Sequence, residues 1–167
     1  MKKFFLCLAI LGLIVPFNTF ANSDIKIGYV NVFDVFDKYS KTKEYDDALE
    51  TVKDKKEVTL NKKKDEIEKM QSKLSLLKPQ EQEEKQAEVA AEIESYRNLE
   101  REIYIDLKKD RDEKMKEILE DINLVVKDYA KKNKFDLIIN ENAVLYGEKI
   151  MDISSDILKI MNERYKK

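Results

Sequence analysis

The first patterned segment of the chain is IKIGYVNV, where Ile25, Ile27 and Tyr29 alternate with Lys26 and Gly28. A period of two of this kind predicts a strand with one buried face. Asn31 follows as a side-chain cap for a short helix, with Val32, Phe33 and Phe36 predicted on its apolar side and Asp34 in its first turn, where a negative charge favours the helix dipole. From about Ser40 to Lys132 the stretch holds no glycine and a single proline, Pro79, and it is filled with Lys, Glu, Asp and Gln. That composition predicts one helix from Ser40 to Leu77 and a second from Gln80 to Lys132, with Pro79 in the first turn of the second, where its missing donor loses no bond. At 1.5 Å of rise per residue these antiparallel helices reach about 55 to 80 Å, so the hairpin projects from the rest of the molecule. The arms are unequal, which leaves two arrangements open: a tip past Pro79, nearer Gln86, or offset arms.

Within the hairpin, Ile67, Met70, Leu74 and Leu77 keep the spacing of a coiled-coil seam, as do Met115, Ile118, Ile122, Val125 and Tyr129. Between them the pattern thins. Lys53-Asp54-Lys55-Lys56-Glu57 interrupts the first arm, and Leu99, Ile103 and Leu107 run at spacing four before Arg111. The plain reading is a two-helix coiled coil whose charges form a solvated face. The sharper reading is an arm that flexes, with Tyr96, Tyr104 and Ile105 off the main stripe as candidates to face a partner. Asn133 then serves as a left-handed stop, and KFDLIINENAVLYG reads as a strand, a polar corner at Asn140-Glu141-Asn142 and a second strand. A last helix begins near Asp152, whose side chain caps it, with Ile153, Ile157, Ile160 and Met161 on its buried face.

Composition narrows the function. Lys2 and Lys3 precede the apolar run Phe4 to Val15, and Thr19-Phe20-Ala21 closes the segment with small residues, the pattern of a signal peptide cleaved after Ala21. The run falls short of the roughly 20 apolar residues that span a bilayer. Cys7 lies inside the run and not after it, where lipid attachment would need it. Cleavage removes this only cysteine, and the chain has no histidine, which excludes a thiol nucleophile, a serine–histidine triad, a zinc site and a disulfide framework. With three glycines and no glycine-rich phosphate loop, no cofactor, metal or enzymatic activity is expected. Charged residues make up 40% of the chain, which points to long exposed helices. Without the leader's two lysines the balance is 30 basic to 34 acidic residues, so the average surface gives no case for nucleic acid.

The leader, the IKIGYVNVFDVF opening, the glycine-free hairpin, the FDLIINENAVLYG segment and the closing DISSDILKIM together resemble the Skp/OmpH family of periplasmic chaperones, most specifically from Phe135 to Ile160. The resemblance implies a mainly α fold with a small β body (α+β), in which residues 22–39 and 133–167 form a trimerisation body and residues 40–132 form the arm, broken near 79. It also implies a periplasmic homotrimer that holds unfolded outer-membrane proteins between its arms without ATP. A body of about 50 residues per subunit lies near the size at which lone domains become marginal, and oligomerisation supplies the missing core. The candidates for that core are Ile27, Tyr29, Val30, Leu137, Ile139, Val144 and Leu145, with trimer contact and packing within one chain not distinguished. One departure concerns charge. The family's arms are often basic, whereas residues 79–102 here carry 3 basic and 8 acidic residues, so no lipopolysaccharide or membrane-surface site is carried over. The Lys62-Lys63-Lys64 cluster reads as solvated face. The alternative is a periplasmic coiled-coil scaffold or envelope assembly factor, which shares the leader and hairpin but has no need of a strand-bearing body.

Overall fold

The computed structural model describes residues 25–166, so the leader, its cleavage point and Cys7 lie outside the described residues. The element order is β1 (Ile27–Val30), α1 (Val32–Lys38), α2 (Ser40–Leu74), α3 (Pro79–Asn133), β2 (Leu137–Asn140), two single-turn 3₁₀ helices (Glu141–Ala143 and Lys149–Met151) and α4 (Ser154–Tyr165). This is the expected mainly α chain with a small β component. β1 and β2 pair in parallel, with Ile27 opposite Leu137 and Val30 opposite Asn140. The direction follows from the hairpin, which is the long crossover that two parallel strands need. Asp152 adds a single bridge beside Tyr29, where the Ile153 N–H donates to the Tyr29 carbonyl at 3.0 Å.

Local chemistry explains most boundaries. Asn31 caps α1, its side chain accepting from the Asp34 N–H at 2.7 Å. α2 starts on Tyr39 with no side-chain cap of its own, and the help comes from α4: the Ser40 N–H donates to Asn162 Oδ1 at 2.9 Å. α2 stops at Leu74, earlier than the expected Leu77, because Ser75 to Lys78 form the turn that leads into Pro79. Gln82 holds that turn, its Nε2 donating to the carbonyls of Leu74 at 3.2 Å and Leu77 at 3.0 Å. α3 continues through Asn133, and the left-handed residue is Lys134 (φ 57°) in place of Asn133. The Asn133 side chain instead donates to the Tyr129 carbonyl at 2.9 Å, which ties it into the last turn and shifts the stop by one residue.

The tip therefore lies at residues 75–78, and the arms are offset, the second of the two open arrangements. The offset has a simple cause. Lys41, at the start of α2, lies 2.7 Å from both Glu117 and Asp121 of α3, so the final turns of α3 run past the base of α2. There Ile118, Ile122 and Val125 join Val30, Val35, Tyr39, Ile153, Ile157 and Met161 in one buried cluster. The carboxy-terminal part of the predicted seam thus packs on the body as well as on the first turns of the other arm, where Ile118 lies beside Thr42 and Tyr45.

Three further expectations change. On α1 the fully buried side chain is Val35, while Phe33 stands 76% exposed, because the short helix meets the core with the side opposite Phe33. β1 buries Gly28 and Val30 and leaves Ile27 and Tyr29 half-buried, with Ile25 exposed before the strand begins. Gly28 is needed on that inner side: a Cβ there would lie 2.8 Å from the Phe135 ring and 3.3 Å from the Met151 carbonyl oxygen. The second predicted strand does not form within the single chain. Asn140 caps the first 3₁₀ turn by accepting from the Asn142 N–H at 3.2 Å, and Val144 to Glu148 follow as an irregular bend. In α4, Asp152 acts as expected, its Oδ1 accepting from the Ser154 N–H at 2.9 Å, and Ile153, Ile157 and Met161 are buried with Ile160 partly so.

Candidate functional site

Three surfaces carry the features from which a function can be built: the outer side of the body, the arm base and the arm itself. On the body, the candidate core residues divide. Val30 is buried, Ile27, Tyr29, Ile139 and Val144 are half-buried, Leu137 is exposed, and Leu145 stands fully in solvent. Tyr146 and Ile150 (91%) are exposed beside it. Single exposed apolar residues are ordinary on a surface, but Leu137, Leu145, Tyr146 and Ile150 all belong to the short segment around the end of β2. The bend is held from within by Gly147, where a Cβ would lie 2.8 Å from the Tyr29 ring. Around Tyr29 the charge is negative. Burial first, and then Asp152, Glu141 and Glu148, raise its pKa above the ordinary phenol value.

At the arm base, polar groups lock the two helices together. Lys41 Nζ lies 2.7 Å from Glu117 Oε1 and 2.7 Å from Asp121 Oδ2, the Tyr45 hydroxyl donates to Glu117 at 2.9 Å, and Lys114 reaches the other carboxylate oxygen at 3.3 Å. Burial opposes the charge on Lys41, but hydrogen bonds to Asp121 and Glu117 outweigh it and raise the ammonium pKa. The Glu117 carboxyl is pulled down to about 2, chiefly by its bonds from Lys41 and then Tyr45. Beside this clasp lies a cavity of about 180 Å³ lined by Phe36, Thr42, Tyr45, Leu49, Met115 and Ile118 among others. Met115, expected in the seam, is 41% exposed at its edge. The sequence pattern missed this clasp because Lys41 and Glu117 look like any other members of a charged helix surface.

Beyond the base, the seam is sparse. Ile67, Val89 and Ile103 are its buried apolar residues, and Lys63 crosses it to Glu92 at 2.7 Å. Tyr96 is seven residues from both Val89 and Ile103 and is half-buried, so it belongs to the seam face and not off the stripe. Tyr104 (69%) and Ile105 (55%) are exposed on the outer side of α3 in a shallow groove flanked by Lys108, Lys109 and Lys116. At the tip, Leu76 is exposed next to a hollow lined by Met70, Leu74, Leu77 and Val89.

A small mixed core with a long antiparallel arm defines an α+β protein built around a projecting helical hairpin. The chain belongs to the OmpH-like outer membrane protein family, whose model matches residues 26–161. It is 28% identical over 163 residues to the chaperone protein Skp of Pectobacterium atrosepticum, covering 95% of this chain and 98% of that one. The fold is similar to that of an OmpH-like protein of Caulobacter crescentus, with a TM-score of 0.78 at 12% identity over 84% of this chain and 85% of the other.

Proposed function

We propose that this protein is a holding chaperone of the periplasm: a homotrimer that keeps unfolded outer-membrane proteins between its arms without ATP. The observation that carries the reading is an arm whose two helices, beyond the base, have only each other for packing, rising from a body that leaves Leu137, Leu145, Tyr146 and Ile150 exposed. The body's uncovered apolar residues suit burial against further copies, and the sheet of two short strands is too small to be complete alone. Kinship with a protein named as a chaperone supports the holding role. Physically, binding a non-native chain withdraws it from aggregation by mass action, and several arms turn weak contacts into useful avidity. Tyr104 and Ile105 are the arm residues proposed to meet the client, and Tyr96 is removed from that set by its place on the seam.

The test uses the exported form of the chain. Multi-angle light scattering should give three chains per particle, and the protein should suppress the turbidity of an outer-membrane barrel protein diluted from urea with no nucleotide present. A monomer or dimer that leaves turbidity unchanged would sink the chaperone reading in favour of a coiled-coil scaffold.

A further inference from the structure

The cavity beside the clasp is built from three elements. Phe36 of α1, Thr42, Tyr45 and Leu49 of α2, and Met115 and Ile118 of α3 surround about 180 Å³, and the exposed Asp46, Asp110, Arg111 and Lys114 stand at its mouth. Protein interiors are ordinarily packed without voids of this size, and a dry apolar cavity of about 150 Å³ accepts a benzene molecule. The clasp keeps the space open. Tyr45, the largest side chain of the wall, is held in place by the bond from its hydroxyl to Glu117 at 2.9 Å and by Lys114, whose Nζ lies 4.5 Å from the ring centroid.

Thr42 is the unusual member of the lining. It is 4% exposed, and its Oγ1 is the one buried side-chain polar atom without a hydrogen-bond partner among the described residues. Farther along α2, Thr51, Thr59 and Ser72 each donate to the carbonyl four residues back, at 3.0, 3.1 and 2.8 Å. The residue four before Thr42 is Lys38, which belongs to α1 and lies beyond the extended Tyr39 (ψ 131°), so that partner is out of line. Two χ1 rotamers are open to a helical threonine, and exchange between them moves the hydroxyl without moving the backbone. A buried donor left without an acceptor costs free energy that a partner arriving from outside recovers.

We propose that this cavity receives a tyrosine side chain of the unfolded chain held by the arms, its ring against Leu49, Met115 and Ile118 and its phenol oxygen on the Thr42 hydroxyl. This rests on the chaperone reading above. The chemistry fits on both sides. Membrane barrels carry girdles of aromatic residues, and a buried phenol needs a hydrogen-bond partner. Met115, 41% exposed at the edge, is an adaptable side chain whose sulfur packs well against rings. A phenylalanine ring fills the same space but leaves Thr42 unpaired, so tyrosine is preferred. Because Ile118 also belongs to the buried cluster of the body, the cavity is a fixed foothold at the root of the arm.

The probes are p-cresol, the tyrosine side chain as a free molecule, and toluene, its phenylalanine counterpart. In the exported chain with methyl-labelled methionine, p-cresol should move the Met115 resonance saturably and leave that of Met70, near the tip, in place. Thr42→Val matches the shape of the side chain and removes the hydroxyl. It should weaken p-cresol about five- to tenfold, leave toluene unchanged and raise the urea midpoint of the empty protein. An unstructured peptide from a barrel strand with one tyrosine should displace p-cresol, and the same peptide with alanine in its place should not. No saturable shift at Met115, or equal affinity of p-cresol for Thr42→Val and the parent chain, would overturn the inference. Binding of p-cresol that the tyrosine peptide does not displace would also overturn it, leaving a site for free phenols. If the tyrosine peptide binds but the turbidity of a barrel protein is not suppressed, the chaperone reading fails and the cavity's preference for tyrosine stands.

Discussion

The base of the arm and its distal half are made from the same two helices but are held in different ways. At the base, Ile118, Ile122 and Val125 sink into a cluster with Val35, Ile157 and Met161, each at most 4% exposed. The distal half has only Ile67, Val89 and Ile103 buried along tens of ångströms, with Lys63 and Glu92 standing where a seam would place apolar side chains. Burial sets the first region's rigidity. The second relies on helix propensity, a thin seam and charge, so it is the part able to open without unfolding the rest.

The largest expected break in this comparison comes from the core. Ile157→Ala or Ile118→Ala, both at most 1% exposed, should lower unfolding free energy by about 2 to 5 kcal/mol, read in urea at fixed chain concentration. If either substitution is neutral, the base is not the rigid region. Ile103→Ala should cost about 2 kcal/mol or somewhat more but express it locally, as faster hydrogen exchange in the distal helices while the β1 and β2 amides stay protected. Equal loss of protection in the body would mean that arm and base unfold as one unit.

A smaller effect belongs to the clasp. Glu117 is held at about 2 against an ordinary 4.5, so its contribution is complete above pH 4.5 and is lost as pH falls from there through about 2. The carboxylate side chain is 43% exposed, and solvent screening holds this contribution to about 1 kcal/mol or less. Glu117→Gln should flatten that part of the acid unfolding curve, and an unchanged curve would assign the acid sensitivity to other carboxylates. The smallest stability effect is expected on the outer face of α3: Tyr104→Ser with Ile105→Ser should alter stability by no more than about 0.5 kcal/mol while weakening capture of an unfolded barrel protein. Unchanged capture would return the pair to the ordinary scatter of surface apolar residues.

Much of the architecture was legible in the sequence because it follows from local rules. The absence of glycine, the position of Pro79, the cap at Asn31 and the period of the last helix are all properties of near neighbours. What misled was non-local. Val144 to Gly147 carries a strand-like apolar run, yet strand formation needs a partner edge, and within one chain β1 has β2 on one side and only the Asp152 bridge beyond. Tyr96 falls outside a stripe that begins at Leu99, whereas the heptad step through Val89 and Ile103 includes it. The clasp at Lys41 and the cap from Asn162 were invisible for a related reason: both join residues that the tertiary fold alone brings together, 80 and 122 positions apart.

The parallel pairing of β1 with β2 also constrains the order in which this molecule can be built. β1 is among the first elements to emerge, and its partner begins 110 positions later, so the strand must wait, apolar and unpaired, while the whole hairpin is made. Closing so long a loop from an open coil is slow, but the hairpin consists of contacts that form between nearby turns. Once its helices zip from the tip, the two ends are delivered side by side and the remaining search is short. The arm is thus the assembly jig of the body, and an error at the tip, such as loss of the Gln82 brace, should appear first as late pairing of strands far from the tip.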